Sequence, residues 1–257
     1  MPCVSKIWTL VLVCLLSAVL AFPALAAEKS TWHRFRFELE GGPVWQAKND
    51  VRIPGDTGTE FSFKDLTGSG PYAAGRLTFE WNVRERHGLR FMVAPLRTDG
   101  TGTFGQPVSF AGTTFAAGTP TKGKYQFDTY RAAYRYLFLN RNSWRMQVGA
   151  TILVRDAKIE LEQAGLKASD SNVGVVPLLN FATEWAFANR WTAILDFEGL
   201  AGGPGRALDL ALKMRYDLTD RWSVAGGYRM LEGGVDNDDA YNFSWFNYGF
   251  VTFGYQF

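Results

Sequence analysis

Large apolar residues recur at every second position along much of this 257-residue chain. The last stretch is the clearest case. Val251, Phe253, Tyr255 and Phe257 share one parity, and Thr252, Gly254 and Gln256 share the other. A two-residue period is that of a β-strand with unlike faces. Ten segments carry it: 32–45, 72–84, 89–96, 125–138, 144–161, 173–187, 191–200, 206–218, 222–234 and 243–257. Sorted by parity, one face is apolar, with Phe35, Phe37 and Leu39 in the first segment and Leu208, Leu210, Leu212 and Met214 in the eighth. The other face collects Arg36, Glu38, Glu80, Arg131, Arg155, Asp196, Glu198, Asp209 and Arg229, together with Arg76, Arg90 and Arg135. Asp128, Asp156, Lys158, Glu160, Arg206 and Glu232 break the sorting, and each lies toward a long connection.

The connections alternate in length. LNRNSW (139–144), ANRW (188–191), TDRW (219–222) and ERHG (85–88) are turn-sized and rich in Asn, Asp and Arg. The others, 46–71, 97–124, 162–172, 201–205 and 235–242, are read as the long connections, most of them well beyond turn size. Strict alternation predicts antiparallel neighbours with both termini at the short-turn end. The expected fold is all-β, an up-and-down antiparallel barrel of ten strands. Eight or twelve follow if 89–96 or 57–66 is assigned differently.

Periodicity alone does not say which face is inside. The tryptophans do, because Trp81, Trp144, Trp185, Trp191 and Trp222 lie near the short-turn end, while Trp45 and Trp245 lie near the other. Aromatic residues banded at strand ends suit two membrane interfaces. The apolar parity is therefore expected to face lipid, with the charged parity facing a lumen.

Residues 1–26 carry one charge, Lys6, then an apolar run and the small-residue motif Ala24-Leu25-Ala26. This is the pattern of a cleaved signal peptide, leaving 27–257 as a single domain. Both cysteines, Cys3 and Cys14, fall in the removed segment, so no disulfide or Cys-based metal site is expected. Removing Lys6 from the 27 basic residues leaves 26 against 25 acidic ones, a balance that does not suit a nucleic-acid partner. No motif asks for a cofactor.

The signal peptide, the Asn/Asp-Arg-Trp turns, the long opposite loops and the terminal Tyr255-Gln256-Phe257 resemble the outer-membrane β-barrel proteins of Gram-negative bacteria. The resemblance implies export through the periplasm, residence in the outer membrane and short turns on the periplasmic side. It also implies that Phe253, Tyr255 and Phe257 form the signal read by the barrel-insertion machinery. Outer-membrane lipid and lipopolysaccharide become the expected surroundings, and a monomer the expected state.

A barrel of about ten strands has little free interior, so the charged parity is expected to pack as a network. Arg131, Arg155 and Arg229 are placed within reach of Glu80, Asp196, Glu198 and Asp209. The functional expectation is a structural or porin-like, narrow-pore barrel with a largely filled lumen. Two alternatives stay open. One is an outer-membrane enzyme acting on lipid or peptide with carboxylates such as Glu198 or Asp209 tuned by burial. It would have no histidine-based site, because His33 and His87 both fall at the short-turn end, where neither the omptin protease pattern nor the barrel lipid-hydrolase pattern can be laid on them. The other is adhesion or ligand binding through the loops at 57–71 and 101–123. Asp236, Asp238 and Asp239 form a candidate cation-binding loop able to bridge to lipopolysaccharide phosphates, although it lacks the terminal Glu of a calcium loop.

Overall fold

The computed structural model of the protein describes residues 33–203 and 205–257. The expected signal peptide and Trp32 lie outside the described residues. In chain order, β1 (Phe35–Arg52) is followed by β2 (Phe61–Ser62), the single-turn helix α1 (Phe63–Thr67), β3 (Tyr72–Arg84) and β4 (His87–Ala94). Next come β5 (Arg97–Gly102), β6 (Val108–Phe110) and β7 (Thr113–Phe115). The remaining strands are β8 (Thr121–Arg141), β9 (Trp144–Gln163), β10 (Leu166–Ala188), β11 (Trp191–Gly202), β12 (Gly205–Asp217), β13 (Trp222–Asp236) and β14 (Tyr241–Gln256).

Ten of these elements form the wall, with β5 continuing the line of β4 beyond Pro95 along β8. Every neighbouring pair is antiparallel, and β14 returns to β1, with Leu39 opposite Phe253 and Phe37 opposite Tyr255. Closure matters because lipid cannot satisfy backbone N–H and C=O groups, so each strand needs a neighbour on both sides. Phe257 completes the seam: its N–H donates to the Phe35 carbonyl at 3.0 Å and its carbonyl accepts from Phe35 N–H at 2.9 Å. Its ring centroid lies 5.3 Å from that of Phe35.

The orientation follows the parity. Leu39, Phe253 and Leu212 are among the most exposed large apolar residues, whereas Asp209 and Arg229 retain 3% and 2% of their exposure. Aromatic side chains pair around the short-turn end. Trp144 stacks on Trp185 at 5.5 Å, Trp81 on Phe35 at 6.3 Å, Trp191 meets Tyr216 at 4.9 Å and Trp222 meets Tyr255 at 4.6 Å. The short turns close through local chemistry: Arg190 takes φ 64° in one and Asn142 φ 54° in another, while Thr219 Oγ1 accepts from Trp222 N–H at 3.0 Å.

Two of the expected long connections are corrected. Within 201–205, β11 and β12 stay paired as far as Gly202↔Gly205. The stretch 162–172 is not a loop. β9 and β10 pair without a break from Trp144↔Trp185 to Gln163↔Leu166 and turn on Ala164 and Gly165, both at positive φ. Its polar and small residues, from Glu162 and Gly165 to Ser171 and Asn172, look like loop composition, but a strand that has left the bilayer meets water on its outer face. The loops at 57–71 and 101–123 behave differently. They fold back over the mouth as a cap, built from β2, α1 and the β6–β7 hairpin. Phe61, Phe63, Leu66, Phe104, Phe110 and Phe115 are buried in it. The cap rests on inward residues of the extended wall: Val51, Tyr125, Ile159, Leu161 and Phe246.

Candidate functional site

The inward parity places its charges at the middle of the lumen, where removal from water costs several kcal/mol per ion unless partners compensate. The partners come largely from strands that are not neighbours. Arg131 on β8 reaches Glu198 on β11 at 2.7 Å and Asp209 on β12 at 2.8 Å. Arg229 on β13 holds Asp209 at 2.6 Å and Glu40 on β1 at 3.1 Å. Arg76 on β3 adds a third guanidinium to Asp209, at 3.3 Å. A second knot binds Asp196 on β11 between Arg90 on β4 at 2.7 Å and Arg135 on β8 at 2.6 Å. Thr151 donates to Glu198, and Asn180 donates to Thr151.

Nearer the short-turn end, Glu38 lies between Arg36 at 2.8 Å and Lys213 at 3.0 Å, and Glu184 binds Arg215 and Arg145. Glu80 sits at the edge of this group, 3.8 Å from Arg90. Little room remains below the layer or between it and the cap. A void of about 20 Å³ separates it from the cap around Arg76, Phe127 and Tyr248, and one of about 60 Å³ lies below it, among Arg36, Glu38, Glu184 and Lys213. Spaces of this size hold a few waters at most.

Arg155 does not join the network. It stands higher on β9, where its guanidinium donates to Asn172 at 2.7 Å and its Nε is buried without a partner. One turn of side-chain alternation above Leu153 lifts it off the ionic layer, so parity alone could not assign its partner. The candidate cation loop makes contacts of its own. Asp236 turns to Arg52 at 3.9 Å, Asp238 offers its backbone carbonyl to Gly55 N–H, and Asn237 caps the Ala240 N–H at 2.8 Å. Among the described residues no group of three or more His, Cys, Asp or Glu converges as a metal site. His87 lies at the short-turn rim, its Nδ1 2.7 Å from the Tyr134 hydroxyl.

The charges that break parity form an outward belt past the bilayer. Glu160 is ringed by Lys124 at 2.8 Å, Lys167 at 3.3 Å and Lys158 at 3.4 Å. The hydrogen bond from Lys124, with those from the other two lysines, draws its carboxyl down to about 2. Asp128 pairs with Arg97, and Arg206 with Glu232 at 2.6 Å.

Sequence reasoning missed two features. The partners Arg76, Arg90 and Arg135 were visible only as members of a charged face, because their contacts span 133, 106 and 61 residues. A cavity of about 470 Å³ on the β10–β13 side of the mouth, above Arg131 and Asp209, was not anticipated. The signal for it was present in small residues at inward positions, Gly205, Ala207 and Gly233.

No protein-family profile matches the chain, and no curated protein does. Solved structures do. The outer-membrane protease OmpT of Escherichia coli superposes with a TM-score of 0.53 at 8% identity, over 87% of this chain and 97% of that one. Ail, the attachment invasion locus protein of Yersinia pestis, gives 0.40 at 9% identity over 87% and 99%, and neisserial surface protein A gives 0.33 at 12% over 87% and 97%. Identity this low carries the fold and not the activity. With its sheet closed by β14 on β1, its apolar parity outward, its ions within, and its fold shared with OmpT, this chain is a ten-stranded β-barrel of the outer-membrane type.

Proposed function

We propose that this protein is a sealed outer-membrane barrel that anchors a folded cap at the cell surface and does not conduct solute. The observation that carries this reading is the ionic layer. Asp196, Glu198 and Asp209, with Arg76, Arg90, Arg131, Arg135 and Arg229, join strands across the lumen, and each is buried. A selective filter needs charges that a passing ion can visit and leave. Here each carboxylate is already held by two or three guanidinium groups, so an ion would have to displace a protein partner. Refolded protein in planar bilayers is expected to give no conductance steps up to the voltage at which the bilayer itself fails. Reproducible single-channel events in the unmodified protein would overturn the reading.

In this reading the chain is exported through the periplasm, and its partners are outer-membrane lipid, lipopolysaccharide and the insertion machinery. The terminal strand with Phe253, Tyr255 and Phe257 is what the machinery recognises. Phe257→Ser is expected to leave secretion intact while lowering the barrel fraction recovered from outer membranes several-fold, measured by heat-modifiable gel mobility. Unchanged recovery would remove that role.

A further inference from the structure

The wall is not continuous to its rim. β10 and β11 pair from Ala188↔Trp191 up to Leu179↔Gly199 and then part. Above that point β10 runs on to Leu166 with β9 as its strand partner, and β11 runs on to Gly202 with β12 as its partner. Pro177 sits two residues past the last shared pair, on an edge that needs no full set of N–H donors. The split lies just below the outward Arg206–Glu232 pair and beside the lipid-facing Val173, Val175 and Leu208, so it opens near the headgroup level of the outer leaflet.

The 470 Å³ cavity lies directly behind this split. Its lining includes inward Leu153, Val176, Leu178 and Leu231, and also Val175 and Leu208, which belong to the outer face of the wall. Lining from both faces means that the space reaches the lipid side through the gap as well as the long-loop mouth. Its volume falls within the range of small-molecule sites, which runs from roughly 300 to 1,000 Å³. The floor ions each have partners of opposite charge. One cation on the lining is different. Arg155 has the neutral Asn172 as its hydrogen-bond partner, and among the described residues no carboxylate pairs with it. Gly174 opposite keeps the guanidinium accessible, since a Cβ there would stand 3.2 Å from Arg155 Nη2.

We propose that this cavity binds a single-chain amphiphile with an anionic head, such as a long-chain fatty acid, admitted sideways from the outer leaflet between β10 and β11. The chain lies against Leu153, Val176, Leu178 and Leu231, and the head pairs with Arg155. This goes beyond the sealed-barrel reading and does not depend on it. Conductance tests the floor, whereas occupancy tests the pocket above it.

The test is photo-crosslinking of protein refolded in phosphatidylcholine nanodiscs with hexadecanoic acid carrying a diazirine at its chain end. Cross-links are expected on peptides containing Leu153, Val176 and Leu231. They should disappear in Ala207→Trp, which fills the space, and Arg155→Gln should weaken them about tenfold, the loss expected from one charge-assisted hydrogen bond. Heat-modifiable mobility verifies that each variant is folded. In the unmodified chain, excess unlabelled hexadecanoate should abolish labelling and hexadecyltrimethylammonium should not, a result that needs no variant. Labels confined to lipid-facing Leu179 and Leu212 would overturn the site. Equal competition by the cationic amphiphile would overturn the head assignment, and equal cavity labelling by a phosphatidylcholine bearing the same diazirine would overturn the single-chain ligand.

Discussion

On the β14–β1 and β8–β9 side of the long-loop mouth, inward positions carry Val51, Phe246, Tyr125 and Leu161, and the cap settles on them in a core that excludes water. Across the mouth, β12 and β13 present Gly205, Ala207 and Gly233 at comparable positions, and a cavity of about 470 Å³ is left. Both sides stand on the same ionic layer and obey the same parity. The difference is side-chain volume: large residues on one side recruit the loops, and small ones on the other give them nothing to bury against. One face of a barrel can thus be a closed core and an open site at the same height.

The comparison breaks first if its shared floor is removed. Asp209→Ala leaves Arg76, Arg131 and Arg229 without a common anion and is expected to destabilise the barrel by about 3–5 kcal/mol. Urea unfolding in vesicles followed by Trp fluorescence would measure this, and a loss below about 1 kcal/mol would mean the layer carries little stability. Next in size is the cap side. Phe110→Ala empties a fully buried position and should cost the cap about 3 kcal/mol. Because the cap is not part of the wall, the readout is protease cleavage within 101–123 while the barrel keeps its heat-modifiable mobility.

The cavity side should respond far less. Leu200 is 41% exposed beside the split, so Leu200→Ala is expected to cost under about 1 kcal/mol. A cost equal to that of Phe110→Ala would erase the distinction between the two sides. The smallest effect belongs to Glu160. Its carboxyl is held below the unfolded value near 4.3, so its contribution is present above that pH and is lost as pH falls toward about 2. The surrounding lysines are roughly half exposed, which limits the contribution and makes it sensitive to salt. Acid titration of cap protection at 0.15 M and 1 M NaCl, set against Glu160→Gln, would read it.

Much of the wall was legible because lipid enforces a strict rule at each crossing residue. Leu208, Leu210 and Leu212 on one parity and Asp209 and Lys213 on the other leave one arrangement for a strand within the bilayer. The rule lapses outside it, and there the reading of 162–172 as a loop went wrong. The ionic residues were legible as a face, since Asp209 and Arg131 share the inward parity, but which cation meets which anion was not. Arg155, one step above Leu153, was assigned to the wrong group for this reason.

The sequence by itself determined the strand period, the short turns at one end and the sidedness of the apolar face, because each is set by residues within a few positions of one another and by the solvent they must meet. Only the tertiary structure decided the cross-lumen ion pairs, the folding of the loops into a cap and the split between β10 and β11. Those depend on which residues, far apart in the chain, arrive at the same height when the sheet closes, and parity carries no information about height.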